Sequence, residues 1–384
     1  MKMKQNTAFC EKLRRIAALT LILIFIIIPQ TGCTANEKNA SNSGISKTGF
    51  YLDTLCTITI FGIEDTDGSL AELDDEERQR QILLLITDAF KLCDSYEKLL
   101  SKTIESSEIS KINNAGGKSV EVSEETAELI RKGIEYGEKS SGAFDITIGK
   151  ATELWGFREA EGDEQSESGM VGRVPDVDEL REAMKHIDYR QIKLNGSAVQ
   201  LADPDMELDL GGIAKGYIAD KVTEFLQDRG VTSAIVDLGG NIVAIGGKTE
   251  SLISDSEAAS ADFTVGIKDP SSDVGELLGT LPVKDKTVVT SGTYERYFVE
   301  NGEKYHHILS SSTGYPTDTD VLSVTIIADK GHSADCDGLS TSCLALGLEK
   351  GRELIRQTEG VEAIFVDTEG EIYKTSDDIA FSAY

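Results

Sequence analysis

Three groups of residues in this chain have the types and spacing to do chemistry. Residues 209–220, DLGGIAKGYIAD, place two adjacent glycines and Lys215 where a short apolar-alternating run gives way to a helical pattern. Backbone N–H groups at such a turn come close to an anion. The helix N-terminus adds partial positive charge there, and the lysine adds a full one. The stretch therefore predicts a phosphate seat, although a Gly-Gly turn before a helix also serves plain packing. It is not a Walker A loop, because Gly216 stands where that loop needs Ser or Thr, and it is not the GxGxxG fingerprint. A second DLGG at 237–240 repeats the acid-then-glycine corner after another apolar run.

Asp337 and Thr341 stand four apart on a helical pattern, which puts their oxygens on one face. Oxygens at that spacing suit a hard cation such as Mg²⁺, which keeps waters and takes further ligands from substrate phosphates. A helix N-cap is the plainer use of the same aspartate, and Asp335 competes for the role. His306 and His307 are two of only four histidines and end a strand pattern. Neighbours on a strand point to opposite faces, so at most one of them enters a given site. Residues 290–296, TSGTYER, turn at Gly292 and either lay hydroxyls on a ligand or form an ordinary hairpin corner.

The elements that must position these groups read as follows. Residues 50–61 form a first strand of alternating, β-branched character. A core helix carries Leu84, Phe90, Cys93, Tyr96 and Leu100, and another begins at the Ser123 cap. Trp155, the only tryptophan, follows GAFDITIGKATEL, and residues 158–173 form a polar, acidic surface loop. Asn195-Gly196 and Asn301-Gly302 each turn a hairpin. Beyond Gly230 the chain is mostly short strands, with helices after Asp337 and Gly351 and a closing hairpin. Strands joined by hairpins, with helices gathered early and late, predict an α+β fold: largely antiparallel sheet with packed helices in one intertwined body.

Composition narrows the partners. A formal net charge of -29 over 384 residues argues against nucleic acid. Basic residues precede the apolar run 16–28, which is too short to span a bilayer comfortably and right for a signal-peptide core. Gly32-Cys33 then resembles a lipobox, with Gln30 in place of its usual aliphatic residue. The expected organisation is a lipoprotein signal peptide over 1–32, lipidation of Cys33, a flexible tether over 33–49 and a folded domain over 50–384. That predicts a cell-membrane protein, lipid-anchored and facing the extracytoplasmic side. Cys56, Cys93, Cys336 and Cys343 contain no CxxC pair, so buried thiols are expected rather than zinc.

In series, SSEISKIN, GAFDITIGKATELWGF, DLGGIAKGYIAD, VDLGGN, TSGTYERYF, YHHIL, STGYP and DGLST resemble the FAD:protein FMN transferase (ApbE-like) family. The resemblance runs from about Phe50 to the C-terminus. It implies binding of FAD and Mg²⁺ and transfer of the FMN half to a threonine hydroxyl of an acceptor protein as a phosphoester, with AMP leaving. It makes Asp337 and Thr341 metal ligands with the main-chain oxygen of Gly212. Asp209, Lys215, Ala143, Phe144 and Asp145 become FAD contacts, and His307 the base. Thr103 and Leu309 fall on further flavin-lining positions.

Two departures stand out. Leu52-Asp53-Thr54 replaces the family's Met-Gly-Thr and alters a flavin contact at Leu52. Ser310 replaces an aspartate near the base. The implied acceptor is a flavin-carrying subunit of an Rnf or sodium-pumping NADH:quinone oxidoreductase type complex, or another exported flavoprotein. Two alternatives stay open on the same residues: a Mg²⁺-dependent FAD pyrophosphatase giving FMN and AMP, and a non-catalytic, lipid-anchored flavin-binding protein.

Overall fold

Alternation near the N-terminus produces two strands where one was expected. Ile45–Tyr51 pairs antiparallel with Thr54–Ile63, around Leu52 and Asp53 at φ 56° and 55°, two left-handed residues of the kind a two-residue hairpin requires. The first of these strands starts inside the stretch read as tether. Its small polar residues look uncommitted in sequence, but they pair across the hairpin. The Thr48 and Thr57 hydroxyls lie 2.9 Å apart, and Thr59 donates to Ser46 Oγ at 2.9 Å. The computed structural model describes residues 44–64, 73–159, 166, 169–248, 262–272 and 275–384. The leader, Cys33 and most of the tether lie outside the described residues. Among the described residues no helix is long and apolar enough to cross a membrane.

The hairpin opens an eight-stranded sheet. Its order is Ile45–Tyr51, Thr54–Ile63, Val231–Leu238, Asn241–Ile245, Lys286–Gly292, Val321–Asp329, Glu362–Asp367 and Ile372–Lys374. Every neighbouring pair is antiparallel, as the α+β expectation required. Both faces are covered, which is why a strand such as Val321–Asp329 is buried almost throughout, its Ser323 and Thr325 included. On one face the helices Asp75–Leu100, Ala214–Gln227 and Ser333–Leu346 pack with Ile58, Ile86, Phe90, Val236, Ile326 and Leu339 into the main core. On the other, the small sheet of Phe263–Lys268, Leu277–Val283 and Ser382–Ala383 joins Phe61, Val288 and Ile327.

A third cluster matters most for the site. Trp155 is fully buried and its Nε1 donates to the Gly314 carbonyl at 2.7 Å. Phe157, Phe298, Tyr305 and Tyr315 surround its ring. These contacts clamp the short hairpin Tyr297–Glu300 and Glu303–His306, which turns at Asn301-Gly302 as expected. The histidine pair therefore stands at the end of a braced strand. The stretch 158–173, expected to be loop, is closed at its base by a ribbon pairing Arg158–Glu159 with Met170–Val171. The four described cysteines are free and buried.

Candidate functional site

A cavity of about 700 Å³ lies where these layers meet. Its walls carry every described residue that the family resemblance assigned to the site, but neither His306 nor Asp335. Leu52 enters from the first hairpin and Thr103 from just beyond the long helix. Ala143, Phe144 and Asp145 line it, as do Asp209, Gly212 and Lys215, while His307 and Leu309 close one side and Asp337 and Thr341 another. Both acid-then-glycine corners reach the same space, through Gly211 and Gly212 and through Gly239 and Gly240. The second corner is a packing device as well. A Cβ on Gly239, at φ 65°, would sit 2.4 Å from Thr54 Cγ2.

Local structure decides what each group can offer. Asp337 is 2% exposed, and its Oδ2 accepts the Gly216 N–H at 2.9 Å. The Thr341 hydroxyl lies 3.4 Å from the Gly212 carbonyl oxygen, long for a hydrogen bond. Neither oxygen is therefore well satisfied by the other. A carboxylate, a hydroxyl and a main-chain carbonyl are all hard oxygen donors, and that set fits a Mg²⁺ ion. Asp335, the competitor, is committed elsewhere: Lys132 Nζ donates to it at 2.6 Å and the Tyr136 hydroxyl at 2.9 Å. Among the described residues His186, Asp203 and Asp205 also group closely, but His186 pairs with Asp203 and Lys150 with Asp205. None of those three lines the cavity.

The glycine turn serves an anion less through its amides than the motif suggested. Gly211 N–H donates to Asp209, Ala214 N–H to the Leu210 carbonyl, and Gly216 N–H to Asp337. Those three donors are consumed inside the protein. Positive charge at the cavity comes instead from side chains: Lys215, and also Lys102, Lys268 and Arg296, which the sequence did not single out. Lys102 is the main omission. Its ammonium lies 3.5 Å from Asp209 and donates to Thr152 Oγ1 at 2.6 Å. Burial works to raise the Asp209 carboxyl, but Lys102, the Thr152 hydroxyl and the Gly211 N–H outweigh it and hold the group below its usual range. No local signal separates Lys102 from a solvent lysine, because its partners lie far along the chain.

Asp145 is a brace. Its oxygens accept the Thr147 N–H and hydroxyl and the Tyr189 N–H, and burial nevertheless pushes its pKa up. Glu295, also missed, is raised to about 7 by the protein around it, against the pull of Lys215 and Arg296. Its side chain is open to the cavity, and water there limits that rise.

Of the two histidines, only His307 lines the cavity. Its backbone N–H and its Nδ1–H both donate to the Arg296 carbonyl, at 3.0 and 3.1 Å. That fixes the tautomer and leaves Nε2 as an acceptor. Burial first, then the charges of Arg296 and Lys215, push its pKa down to about 3. His306 turns the other way and donates from Nε2 to the Thr317 carbonyl at 3.2 Å.

Residues 52–365 match the model of the ApbE family. The chain belongs to the ApbE family. Its relatives include an FAD:protein FMN transferase of Treponema pallidum, 35% identical over 331 residues, covering 84% of each chain. Another of that description from Klebsiella pneumoniae is 36% identical over 296 residues, covering 76% of this chain and 85% of the relative. The crystal structure of the ApbE protein of Thermotoga maritima superposes with a TM-score of 0.69 at 30% identity, covering 86% of this chain and 96% of that one. The ApbE flavinyl transferase of Pseudomonas stutzeri gives 0.67 at 26% identity, over 86% and 94%. The ApbE fold accounts for the antiparallel sheet and the packed helices alike.

Proposed function

We propose that this chain transfers FMN from FAD to a threonine hydroxyl of an acceptor flavoprotein, forming a phosphoester and releasing AMP. The observation that carries the reading is the arrangement of His307. Its Nδ1–H is tied to the Arg296 carbonyl, and its Nε2 is left to accept a proton in the cavity shared with Lys215, Asp337 and Thr341. The family relatives named FAD:protein FMN transferase support the same reading.

In this scheme Asp337, Thr341 and the Gly212 carbonyl hold Mg²⁺, which when bound neutralises diphosphate charge and polarises the bond to be broken. Lys215 adds a second cation to the diphosphate. His307 Nε2 takes the threonine proton as the hydroxyl oxygen bonds to the FMN phosphorus and AMP departs. Neutral imidazole is the form present above about pH 3. Ser310 holds Ser312 by a 2.9 Å hydroxyl contact and places no carboxylate near the base.

The acceptor is a flavin-carrying subunit of an Rnf or sodium-pumping NADH:quinone oxidoreductase type complex, or another exported flavoprotein. The chain is held at the outer face of the cell membrane by lipid on Cys33, a residue outside those described. One incubation tests the activity: protein, FAD, Mg²⁺ and a threonine-bearing acceptor peptide. A fluorescent peptide is the expected result. Free FMN alone makes the chain a pyrophosphatase, and intact bound FAD makes it a binder.

A further inference from the structure

The first hairpin reaches the cavity through Leu52, Asp53 and Thr54, and just behind that turn two apolar side chains stand in solvent. Phe50 is 54% exposed and Leu55 is 67% exposed. They are direct cross-strand partners, so they project from one face within reach of each other. That face is the outer one. Their neighbours turn inward, Tyr51 stacking on Phe90 and Cys56 fully buried. Farther along the same strand Phe61 is covered by Phe263 of the small sheet, but that cover does not extend to the tip. The next pair in the row is Thr48 and Thr57, so the apolar patch is confined to the cavity end.

A single exposed apolar side chain needs no explanation. This pair differs because of where it is fixed. Arg296 Nη2 donates to the Asp53 carbonyl at 2.8 Å, and the carbonyl of the same arginine holds His307. The hairpin tip is thus tied through one residue to the proton acceptor. A cavity of about 700 Å³ is a small-molecule site. A polypeptide that receives a group there must lie on the rim with one side chain reaching in.

We propose that Phe50 and Leu55 are the docking surface for the acceptor protein, taking an apolar side chain that flanks the hydroxyl residue entering beside His307. The proposal rests on the transferase reading above. It makes the hairpin tip a recognition element outside the FAD cavity, so acceptor affinity and FAD affinity are set by different residues.

The test compares the full-length wild type with Phe50→Ser/Leu55→Ser and with Leu84→Ser, a residue expected in the core stripe of its helix that is instead 52% exposed and does not line the cavity. The acceptor is the purified flavin-carrying domain of an Rnf-type complex, at saturating FAD and Mg²⁺, with flavin fluorescence of the labelled domain as readout. The double variant should raise the KM for the domain at least tenfold. It should leave the Kd for FAD and any release of FMN into water unchanged, and Leu84→Ser should behave as wild type. Phe50→Leu/Leu55→Met should recover most of the loss. An unchanged KM overturns the proposal, as does a matching loss of FAD affinity or an equal loss in Leu84→Ser. Reduced binding to phosphatidylglycerol vesicles with an unchanged KM assigns the patch to lipid and likewise overturns it. A wild type that labels neither this domain nor a threonine-bearing acceptor peptide is seen before any variant is compared, and it overturns the underlying transferase reading; one that labels the peptide but not the domain keeps that reading and overturns the docking proposal for this acceptor.

Discussion

The Gly216 N–H donates to Asp337 Oδ2 at 2.9 Å, joining the first turn of one helix to the face of another that carries Asp337 and Thr341. The contact orients the carboxylate, and it satisfies one of the N–H groups that a helix start leaves without an intrahelical partner. It also explains the glycine. A Cβ at position 216 would sit 2.2 Å from the Ser333 carbonyl oxygen and 2.8 Å from Asp337 Cβ. Gly216→Ala should therefore force the two helices apart and cost about 1–3 kcal/mol. Urea denaturation measures that loss, and Mg²⁺ titration of FAD turnover should show weaker metal use in the same variant.

Asp337→Asn separates charge from shape. The asparagine oxygen can still accept the Gly216 N–H, so the helix contact survives while the negative charge is lost. Apparent Mg²⁺ affinity should fall at least roughly a hundredfold, more than the loss usual for residues behind the ligands. A thermal melt close to that of wild type would accompany it. Unaltered Mg²⁺ dependence would remove Asp337 from the ligand set.

His307 and Arg296 make a linked pair of predictions about the base. His307→Ala should keep FAD binding and lose about a hundred- to ten-thousand-fold in transfer rate. Arg296→Gln removes a positive charge that helps hold His307 down, so the imidazole pKa should rise. Because protonation disables the base, the acid limb of kcat/KM must move to higher pH. Initial rates of peptide labelling should stay flat from pH 4 to 8 in the wild type, whose limb lies lower, and begin to fall toward the acid end of that range in Arg296→Gln.

Stability should also fall on the acid side. Burial holds His306 down at about 4 and His307 at about 3, whereas an unfolded histidine titrates near about 6.5. Between those limits the unfolded chain binds more protons than the folded one, so stability falls as pH falls. His306→Gln preserves a donor to the Thr317 carbonyl and removes one of the two groups. Its Tm should depend less steeply on pH between 7 and 4.5, as differential scanning fluorimetry would show.

Much of the fold was legible because its signals are local. Asn195-Gly196 and Asn301-Gly302 announced their hairpins, and Ser123 capped its helix by accepting the Thr126 N–H. The first hairpin was not legible. Its turn uses Leu52 and Asp53 in left-handed conformations that side chains avoid, where the family pattern has a glycine. A bulky residue there gives no turn signal. The strand before it hid in a polar stretch because its Ser46 and Thr48 face outward.

Taken alone, the sequence determined which chemical groups exist and in what order: the Asp337–Thr341 pair, the two glycine corners, Lys215 and the adjacent histidines. The family resemblance had already singled out His307, and the tertiary structure showed how the Arg296 carbonyl holds it; only that structure decided that Lys102 answers Asp209 across 107 positions (|209−102|) and that Gly216 spends its amide on Asp337. Turn and helix signals depend on neighbours along the chain. Convergence of distant side chains depends on strand register and on how closely two helices cross, and no short stretch of sequence encodes either.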